Sequence, residues 1–423
     1  MNPRELLLGS FRAAVAAADP RVIVPAHLPT PPAGRTVVVG AGKAAASMAA
    51  AVESAWPADR PLSGVVITRH GHGTPTRRIR VVEAGHPVPD EAGEQAARET
   101  LALAEGLGED DLLLVLVSGG GSSLLSLPVA GIGMADLKAL TKDLLACGAP
   151  IQEMNTLRKH VSAIQGGRLA LATRARVHAL VISDVTGDDP THIASGPCSP
   201  DPTTFADCVE ILRRYGVTAP ASIASRLADG VAGRVPETPK PGDAGFARTT
   251  VEVIATARRS LLAAGEVFRA AGVTPFYLGD SITGESRDVA KVLASIAREC
   301  RHHGHPFGAP VAIVSGGETT VTIRGRGRGG RCSEFLLSLA VELDGLAGTW
   351  AIAADTDGID GAESNAGALL APDTLARSRA AGREARRHLD DNDGHGFFAP
   401  LGDLVVTGPT LTNVNDFRAI LVA

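Results

Sequence analysis

A loop of glycines and hydroxyl side chains follows one apolar, strand-like run of the chain. The loop consists of Ser118, Gly119, Gly120, Gly121, Ser122 and Ser123. Successive glycines let a backbone approach a ligand closely, and the amide groups of such a turn can bind an anion. The loop lacks the GK[ST] ending of a P-loop and the G-x-S-x-G pattern of a hydrolase nucleophile. We therefore predict a phosphate-binding loop, with a purely structural turn as the alternative.

A second Ser-Gly-Gly turn, at Ser315, differs chemically because Glu318 follows it. The chain then runs through RGRGRGGR to Arg331, where a helix is expected to begin. An arginine at that position can hold a carboxylate or a transferring phosphoryl group. The alternative is an RGG-type nucleic-acid segment, but such segments are long and repeated, whereas this one is a single copy. The other arginines of the loop are expected to be solvated.

The strand-like run TVVV continues into GAGKAA, which matches the G-x-G-x-x-A pattern of dinucleotide-binding turns. That pattern also expects an acidic residue about 20 positions later for the ribose. Arg69 and His70 end the next strand instead, so an NADP-dependent reductase is one interpretation. Lys43 would lie at a helix N-terminus, where its ammonium and the helix dipole favour a phosphate or carboxylate. A solvated lysine in a tight turn is the structural alternative.

Carboxylates follow several strand-like runs, and Asp184 and Asp188 are our candidate metal ligands. Asp355 and Asp357 follow a later run. The carboxyl ends of parallel strands line one crevice in open α/β sheets, so such side chains converge. Oxygen ligands suit Mg²⁺, which needs only one or two protein carboxylates beside a substrate phosphate. The alternative for each carboxylate is an Asx-turn or a helix cap.

Loop histidines and a polar C-terminal segment are weaker candidates. His70 and His72 could pair on a metal, and His86 lies in GHPVPD, but no third ligand stands at a recognisable spacing. We therefore expect ordinary loop histidines. Asn413, in TGPTLTN after a strand-like run, is a candidate wall of the site, with a capped helix start as the alternative.

Composition limits the classes of protein. A chain of 423 residues with 44% hydrophobic residues is globular and long enough for two domains. A net charge of -5 gives no global attraction to nucleic acid or to an anionic membrane, so neither partner is expected. Five cysteines without a CxxC spacing fit a reducing compartment, and no run is long enough to span a bilayer. A cytoplasmic protein is the prediction.

Alternating apolar runs and helical stretches predict a doubly wound, Rossmann-like parallel sheet in the N-terminal part. Its strands are expected at 36–40, 64–68, 112–118 and 179–183, with helices from Lys43, Asp90 and Met134. Three prolines between 236 and 241 suggest the boundary, giving domains at 1–240 and 246–423. The second domain is expected to be a mixed α/β lobe, with strands beginning at 250–257 and a hairpin that turns at Gly316 and Gly317.

Taken together, eight blocks closely resemble the glycerate 2-kinase family, whose C-terminal lobe is the MOFRL domain. The blocks are VVVGAGKAA, GHPVPDEAG, VSGGGSSLL, NTLRKHVSAIQGGRLA, ISDVTGDDPTHIASGPCSPDPTT, SGGETTVTIRGRGRGGR, DTDGIDGAESNAGA and TGPTLTNVND. They run in the family's order over nearly the whole chain. Members of this family have often been labelled hydroxypyruvate reductases, a name that the G-x-G-x-x-A pattern would invite.

The resemblance implies ATP-dependent phosphorylation of D-glycerate at the 2-hydroxyl, in a cleft between two lobes. It implies that Lys43 and Arg331 are the family's cleft cations, which would neutralise the glycerate carboxylate and the γ-phosphoryl group. We expect the 118–123 loop to bind the phosphates of the nucleotide, and we also assign Glu318 and Asn413 to nucleotide binding. Asp188 with Asp184 is expected to bind Mg²⁺ or to orient the attacking hydroxyl. A non-catalytic sugar-phosphate sensor is the remaining alternative, and a homodimer is left open.

The chain departs from the family pattern at a few positions. Cys332 and Ser333 replace an asparagine and a polar residue after the arginine. Leu411 stands where a glycine is expected, and Gln165 where a lysine is common. These departures affect the expected substrate preference more than the expected reaction.

Overall fold

The computed structural model describes residues 2–423, which divide into two compact units. We call residues 20–254 the N unit, and residues 2–19 together with 255–423 the C unit. The strands are β1 (Thr36–Ala41), β2 (Leu62–Arg69), β3 (Ile79–Ala84), β4 (Leu112–Val117), β5 (Arg176–Ile182), β6 (Thr249–Ala255), β7 (Thr274–Gly279), β8 (Gly284–Glu285), β9 (Val311–Gly317), β10 (Thr319–Thr320), β11 (Thr349–Asp355), β12 (Gly367–Leu370), β13 (Leu404–Val405) and β14 (Asp416–Val422).

The helices include several single turns. They are α1 (Pro3–Ala16), α2 (Pro20–Ile23), α3 (Ala45–Ala55), α4 (Glu91–Glu105), α5 (Gly121–Leu124), α6 (Met134–Ala146), α7 (Ile151–His160), α8 (Arg168–Leu171), α9 (Phe205–Tyr215), α10 (Ala221–Val231), α11 (Ala257–Ala270), α12 (Ser286–His303), α13 (Arg331–Leu343), α14 (Thr374–Ala380), α15 (Ala385–Asp390) and α16 (Gly394–Phe398). Within residues 2–423, no helix is both long and apolar enough to cross a membrane.

The N unit is built on a six-stranded sheet with the order β3-β2-β1-β4-β5-β6. Every residue of β1 and β4 is buried, as expected for apolar strands that are covered on both faces. The pairings from β3 through to β5 are parallel, which confirms the predicted doubly wound sheet. The strand order reverses at β1, whose neighbours are β2 and β4. The loops that follow β1 and β4 therefore meet at the switch point where such sheets bind ligands.

The C unit is built on a second six-stranded sheet with the order β13-β12-β11-β14-β9-β7. The central strand β14 pairs antiparallel with β9 and β11, whereas β7 pairs parallel with β9. This arrangement confirms the predicted mixed sheet. The predicted hairpin at Gly316 and Gly317 is wrong, because β9 ends there between β7 and β14 and the following β10 pairs with β8 instead.

The units differ from the predicted domains, 1–240 and 246–423, at both ends of the N unit. Strand β6, which we assigned to the second domain, is the edge strand beside β5 in the first sheet. Helix α1 belongs to the C unit, where Leu7 and Phe11 share an apolar cluster with Leu261 and Phe268 of α11. Both differences come from pairings between residues far apart in the chain, which local composition does not reveal.

Gly40 and Gly42 are needed for the packing of β1 against β4. A Cβ atom on Gly40 would lie 1.9 Å from the carbonyl oxygen of Leu116, and one on Gly42 would lie 2.1 Å from Ser118 Oγ. Their φ angles, 151° and 142°, are also rarely adopted by other residues. The glycines of the G-x-G pattern thus serve contacts within the sheet, and the pattern by itself does not indicate a dinucleotide.

We expect Gly42→Ala to lower the free energy of unfolding by about 3 kcal/mol, because it adds a clash to an unfavourable φ. Gly131→Ala is the matched control: Gly131 also has a positive φ, 89°, but no atom lies within 4 Å of the added Cβ. The control should lose about 1 kcal/mol. Urea denaturation followed by circular dichroism measures both values, and equal losses would contradict the packing argument.

Candidate active site

The turns after β1 and β4 are joined by backbone and side-chain hydrogen bonds. The amide of Lys43 donates to the carbonyl of Gly119 at 2.8 Å, and the amide of Ala44 donates to Ser118 Oγ at 3.0 Å. Ser118 is fully buried, so its hydroxyl caps the start of α3 rather than facing a ligand, in contrast to our prediction for that side chain. The interaction fixes Lys43 beside the glycine loop.

The hydroxyls of the loop are also bonded within the N unit. Ser123 Oγ lies 2.7 Å from His86 Nδ1 and donates to the carbonyl of Gly120 at 3.1 Å. The hydroxyl of Ser123 thus links the imidazole of His86 to the backbone of the glycine loop. Ser122 Oγ lies 2.9 Å from Ser195 Oγ. Both serines stay partly exposed, and each has one partner that the sequence did not suggest.

A chain of polar contacts continues from the loop to helix α7. Ser195 Oγ lies 3.2 Å from Asn155 Oδ1, which also accepts a hydrogen bond from the guanidinium of Arg158 at 3.2 Å. Gln165 Nε2 donates to the carbonyls of Ser122 and Leu125. Gln165 thus supports the glycine loop from behind with a neutral donor, where the family pattern favours a lysine.

Cations dominate the surroundings of His86. Burial, followed by the charges of Lys43, Arg69 and Arg158, lowers the pKa of His86 to about 4. Burial and the charge of Arg69 likewise lower the pKa of His72 to about 4. Both imidazoles are neutral at pH 7. The pKa of these histidines is lowered only in the folded chain, so the unfolded chain binds protons at a higher pH than the folded chain does. The folded protein therefore loses stability as the pH falls from about 6.5 to about 4.

The candidate metal ligands Asp184 and Asp188 follow β5, at the same edge of the sheet as the loop after β4. Both are partly exposed. Over residues 2–423, no group of three or more histidine, cysteine, aspartate or glutamate side chains has the arrangement of a metal site. Two accessible carboxylates fit Mg²⁺ that arrives with a nucleotide and keeps its waters, rather than a tightly held structural ion. His70, which we expected to be an ordinary loop histidine, lies near the carboxylates of Glu83 and Asp90.

In the C unit, Arg331 is surrounded by three carboxylates. Its guanidinium nitrogens lie 2.7 Å from Glu318, 2.8 Å from Asp355 and 2.7 Å from Asp416. Despite burial, these charges raise the pKa of Arg331 well above its ordinary value. Asp416 is in turn bound by Arg418, which is fully buried. The charge of Arg331 is thus used within the C unit, which differs from the free cation that we expected.

The residues around Arg331 have structural roles that explain much of the sequence pattern. Asp360 accepts hydrogen bonds from the amides of Cys332 and Ser333 at 2.9 Å and so caps α13, while burial raises the pKa of Asp360 to about 6. Asn413 is buried, and its Oδ1 accepts from the amide of Asn415. The Oδ1 atom of Asn413 thus supports its own turn, and the assignment of Asn413 to nucleotide binding stays a prediction.

The arginine loop is ordered by its glycines. A Cβ on Gly325 or Gly327 would lie 2.4 Å from atoms of the segment 391–393, so the loop lies directly against that backbone. Arg328 forms an ion pair with Glu363 on the surface. The alternation of arginine and glycine thus reflects one exposed and one packed face of a structured loop, unlike a disordered nucleic-acid segment.

Sequence reasoning missed His86, Arg158, Asn155 and Ser195 as members of the site in the N unit. The signal was present, because these residues lie in blocks that carry the family resemblance: GHPVPDEAG, NTLRKHVSAIQGGRLA and ISDVTGDDPTHIASG. His86 and Ser195 contact the 118–123 loop directly, whereas Asn155 and Arg158 are connected to it through Ser195, and these contacts depend on packing between segments far apart in the chain.

Comparisons with known proteins cover nearly the whole chain. A domain of unknown function, DUF4147, matches residues 6–228, and the MOFRL family matches residues 311–416. A protein of Agrobacterium vitis named as a hydroxypyruvate reductase is 52% identical over 100% of this chain and 95% of its own length. Glycerate 2-kinase of Pyrococcus horikoshii is 38% identical over 92% of this chain and 88% of its own. The crystal structure of glycerate kinase from Thermotoga maritima superposes with a TM-score of 0.88 at 36% identity, over 99% of both chains.

Removing Arg331 should destabilise the C unit strongly. Arg331→Ala leaves the buried carboxylates of Asp355 and Asp416 without this partner, and we expect a loss of about 3–5 kcal/mol in the free energy of unfolding. Arg328→Ala is the control, because its ion pair with Glu363 is largely exposed and should be worth at most about 1 kcal/mol. Similar unfolding midpoints for the two variants would contradict the assignment.

The position of Lys43 can be tested through His86. Because the ammonium of Lys43 lowers the pKa of His86, Lys43→Met should raise that pKa above about 4. A pH titration of the imidazole resonances by NMR measures the shift, with His86→Gln used for assignment. Lys142→Met, an exposed position on α6, should leave the pKa unchanged. A titration of His86 that is insensitive to Lys43 would place the lysine elsewhere.

Proposed function

We propose, from the premise that the chain belongs to the glycerate kinase family, that its N unit binds the reacting groups through Lys43 and the 118–123 loop. The enzyme is an ATP-dependent kinase that phosphorylates glycerate, and the 2-hydroxyl of D-glycerate is the acceptor. The observation that carries this proposal is the joining of the turns after β1 and β4, which puts a lysine at the N-terminus of α3 beside a glycine loop. Phosphoryl transfer requires mainly such positioning and neutralisation of charge.

Each candidate residue has a proposed role. Lys43 neutralises the γ-phosphoryl group as it moves, supported by the dipole of α3. The glycines of the loop admit the nucleotide phosphates, with Ser122 and Ser123 beside them. Asp184 and Asp188 would hold Mg²⁺, which supplies neutralisation of the nucleotide phosphates when bound. In this arrangement Asp188 is the carboxylate that orients the attacking hydroxyl.

The C unit holds an acidic set around Arg331. Arg331 keeps Glu318 and Asp355 in fixed positions, and the carboxylate of Glu318 is more than half exposed. We propose that Glu318, held by Arg331, is the carboxylate of this unit that is placed to meet a ligand. All five cysteines are free thiols, which supports the cytoplasmic location that we propose.

The second candidate function, reduction of hydroxypyruvate, is suggested by the name of the relative from Agrobacterium vitis. The structural argument for it was the G-x-G-x-x-A pattern. Since the glycines of that pattern are occupied by contacts with β4, the pattern no longer favours a nicotinamide dinucleotide. The kinase is therefore the function that the site supports best.

The decisive experiment follows ATP and D-glycerate with the purified chain by ³¹P NMR. We expect 2-phosphoglycerate and ADP only when D-glycerate and Mg²⁺ are both present, and no oxidation of NADPH with hydroxypyruvate. Light scattering on the same preparation determines whether a homodimer forms. Absence of ADP from folded protein, or rapid NADPH oxidation, would overturn the kinase assignment.

Variants of the same preparation test the assigned residues. Lys43→Ala should lower kcat by at least about 100-fold, as for other groups that stabilise a transition-state charge, whereas Lys142→Ala should match the wild type. Asp188→Asn should raise the Mg²⁺ concentration needed for half-maximal rate. Asp189→Asn is its neighbouring control, because Asp189 accepts a hydrogen bond from the amide of Thr191 in its own turn. Equal effects at Asp188 and Asp189 would contradict the metal assignment.

A further inference from the structure

Three basic residues end helix α7, and they differ in their partners. Lys159 is buried with its Nζ 2.6 Å from Asp201, and His160 is buried with its Nε2 3.2 Å from Glu237. Arg158, directly before them, has no carboxylate within ion-pair distance in the described part of the chain; its guanidinium donates to the neutral oxygen of Asn155. Asp201 neutralises the charge of Lys159, and burial lowers the pKa of His160, so that its imidazole is neutral at pH 7. Arg158 is the member of the three that is charged and has no counter-ion among residues 2–423.

Arg158 is partly exposed, and it bears part of the cost of desolvation without a carboxylate partner. Burial lowers its pKa below the ordinary arginine value. A desolvated cation without an anionic partner is unfavourable, and such groups are normally paired. An arginine cannot relieve this cost by losing its proton at neutral pH, because its pKa is too high. An anion that enters with a ligand would supply the missing partner.

The surroundings of Arg158 connect it to the loop that we assign to the reaction. Asn155, which fixes the guanidinium, is linked through Ser195 to Ser122 of the 118–123 loop. Lys43 is joined to the same loop, because its amide donates to the carbonyl of Gly119 at 2.8 Å. The guanidinium therefore belongs to the same polar site as Lys43 while standing on a different element, α7 rather than the start of α3.

We propose that Arg158 binds the carboxylate of the hydroxy-acid substrate and is the residue that selects an acid over a neutral polyol. The planar fork of a guanidinium matches a carboxylate with two parallel hydrogen bonds, whereas the ammonium of Lys43 is a point charge suited to a moving phosphoryl group. Asn155 positions the fork by accepting one of its hydrogen bonds. This inference rests on the proposed glycerate kinase activity and adds to it the group that recognises the acceptor.

The test compares Arg158→Gln and Arg158→Lys with the wild type, measuring KM separately for D-glycerate and for ATP. Arg158→Gln should raise KM for D-glycerate about 10- to 100-fold, the range expected for a lost charge-assisted hydrogen bond, and should leave KM for ATP within about twofold. Arg158→Lys should recover part of the loss because it restores the charge without the fork. Arg213→Gln, an exposed arginine of α9 paired with Glu210, is the control and should behave as wild type.

A second substrate separates carboxylate recognition from a general loss of function. Wild type should phosphorylate D-glyceramide, which has a neutral amide in place of the carboxylate, with a KM far above that for D-glycerate. In Arg158→Gln this preference should shrink by about the same factor as the KM for D-glycerate rises. A merely structural role would reduce turnover of both substrates alike and leave the preference intact.

The outcomes are distinguishable. If wild type forms no ADP with D-glycerate, the proposed function fails and this inference falls with it. If wild type is active but Arg158→Gln raises the KM for ATP instead, the guanidinium binds phosphate and the inference is overturned. An unchanged preference for D-glycerate over D-glyceramide overturns it as well. Circular dichroism checks the fold of each variant, and Arg158→Lys supplies the same test if the glutamine variant does not fold.

Discussion

The close packing of two turns is the constraint on which the rest of the N-unit site depends. Strands β1 and β4 are neighbours, and Gly42 has no side chain, so the turn after β1 can lie directly against Ser118. Two hydrogen bonds then join the turns, from the amides of Lys43 and Ala44 to Gly119 and Ser118. The start of α3, its lysine and the glycine loop are therefore one rigid piece. A Cβ at Gly42 would lie 2.1 Å from Ser118 Oγ, so the two turns would have to move apart to admit it.

The treatment of charge distinguishes framework from ligand-binding groups. Arg331 meets three carboxylates, and Arg418 behind it meets Asp416, so the charges of these arginines are neutralised within the C unit. Arg158 meets only the neutral oxygen of Asn155. Desolvation penalises a charge that is withdrawn from water, and a carboxylate partner offsets this cost at Arg331 and Arg418 but not at Arg158. All three residues are arginines, so only their partners in the structure distinguish Arg158 from Arg331 and Arg418.

Local signals predicted most of the framework and little of the connectivity. Strands β1, β2, β4 and β5 are apolar, β-branched runs, and their buried parallel arrangement could be predicted from that pattern alone. The placement of α1 and β6 could not be predicted in this way. Each contacts a partner more than 60 residues away in the chain, and β6 occupies an edge of a sheet that any strand could fill. The same limit applies to Ser118. A serine after a strand is equally compatible with a ligand or a helix cap, and only the distance to the amide of Ala44 decides between them.

Two residues that depart from the family pattern, Leu411 and Gln165, have structural roles in this protein. Leu411 replaces an expected glycine and adopts a φ of 61°, a strained conformation for a leucine, so the turn keeps its shape at the expense of stability. Gln165 replaces a lysine but still donates to the carbonyls of Ser122 and Leu125. The neutral amide of Gln165 therefore stabilises the loop by hydrogen bonds, and it adds no positive charge there. Any positive charge on this side of the loop must then come from other elements, and Arg158 at the end of α7 is one such cation.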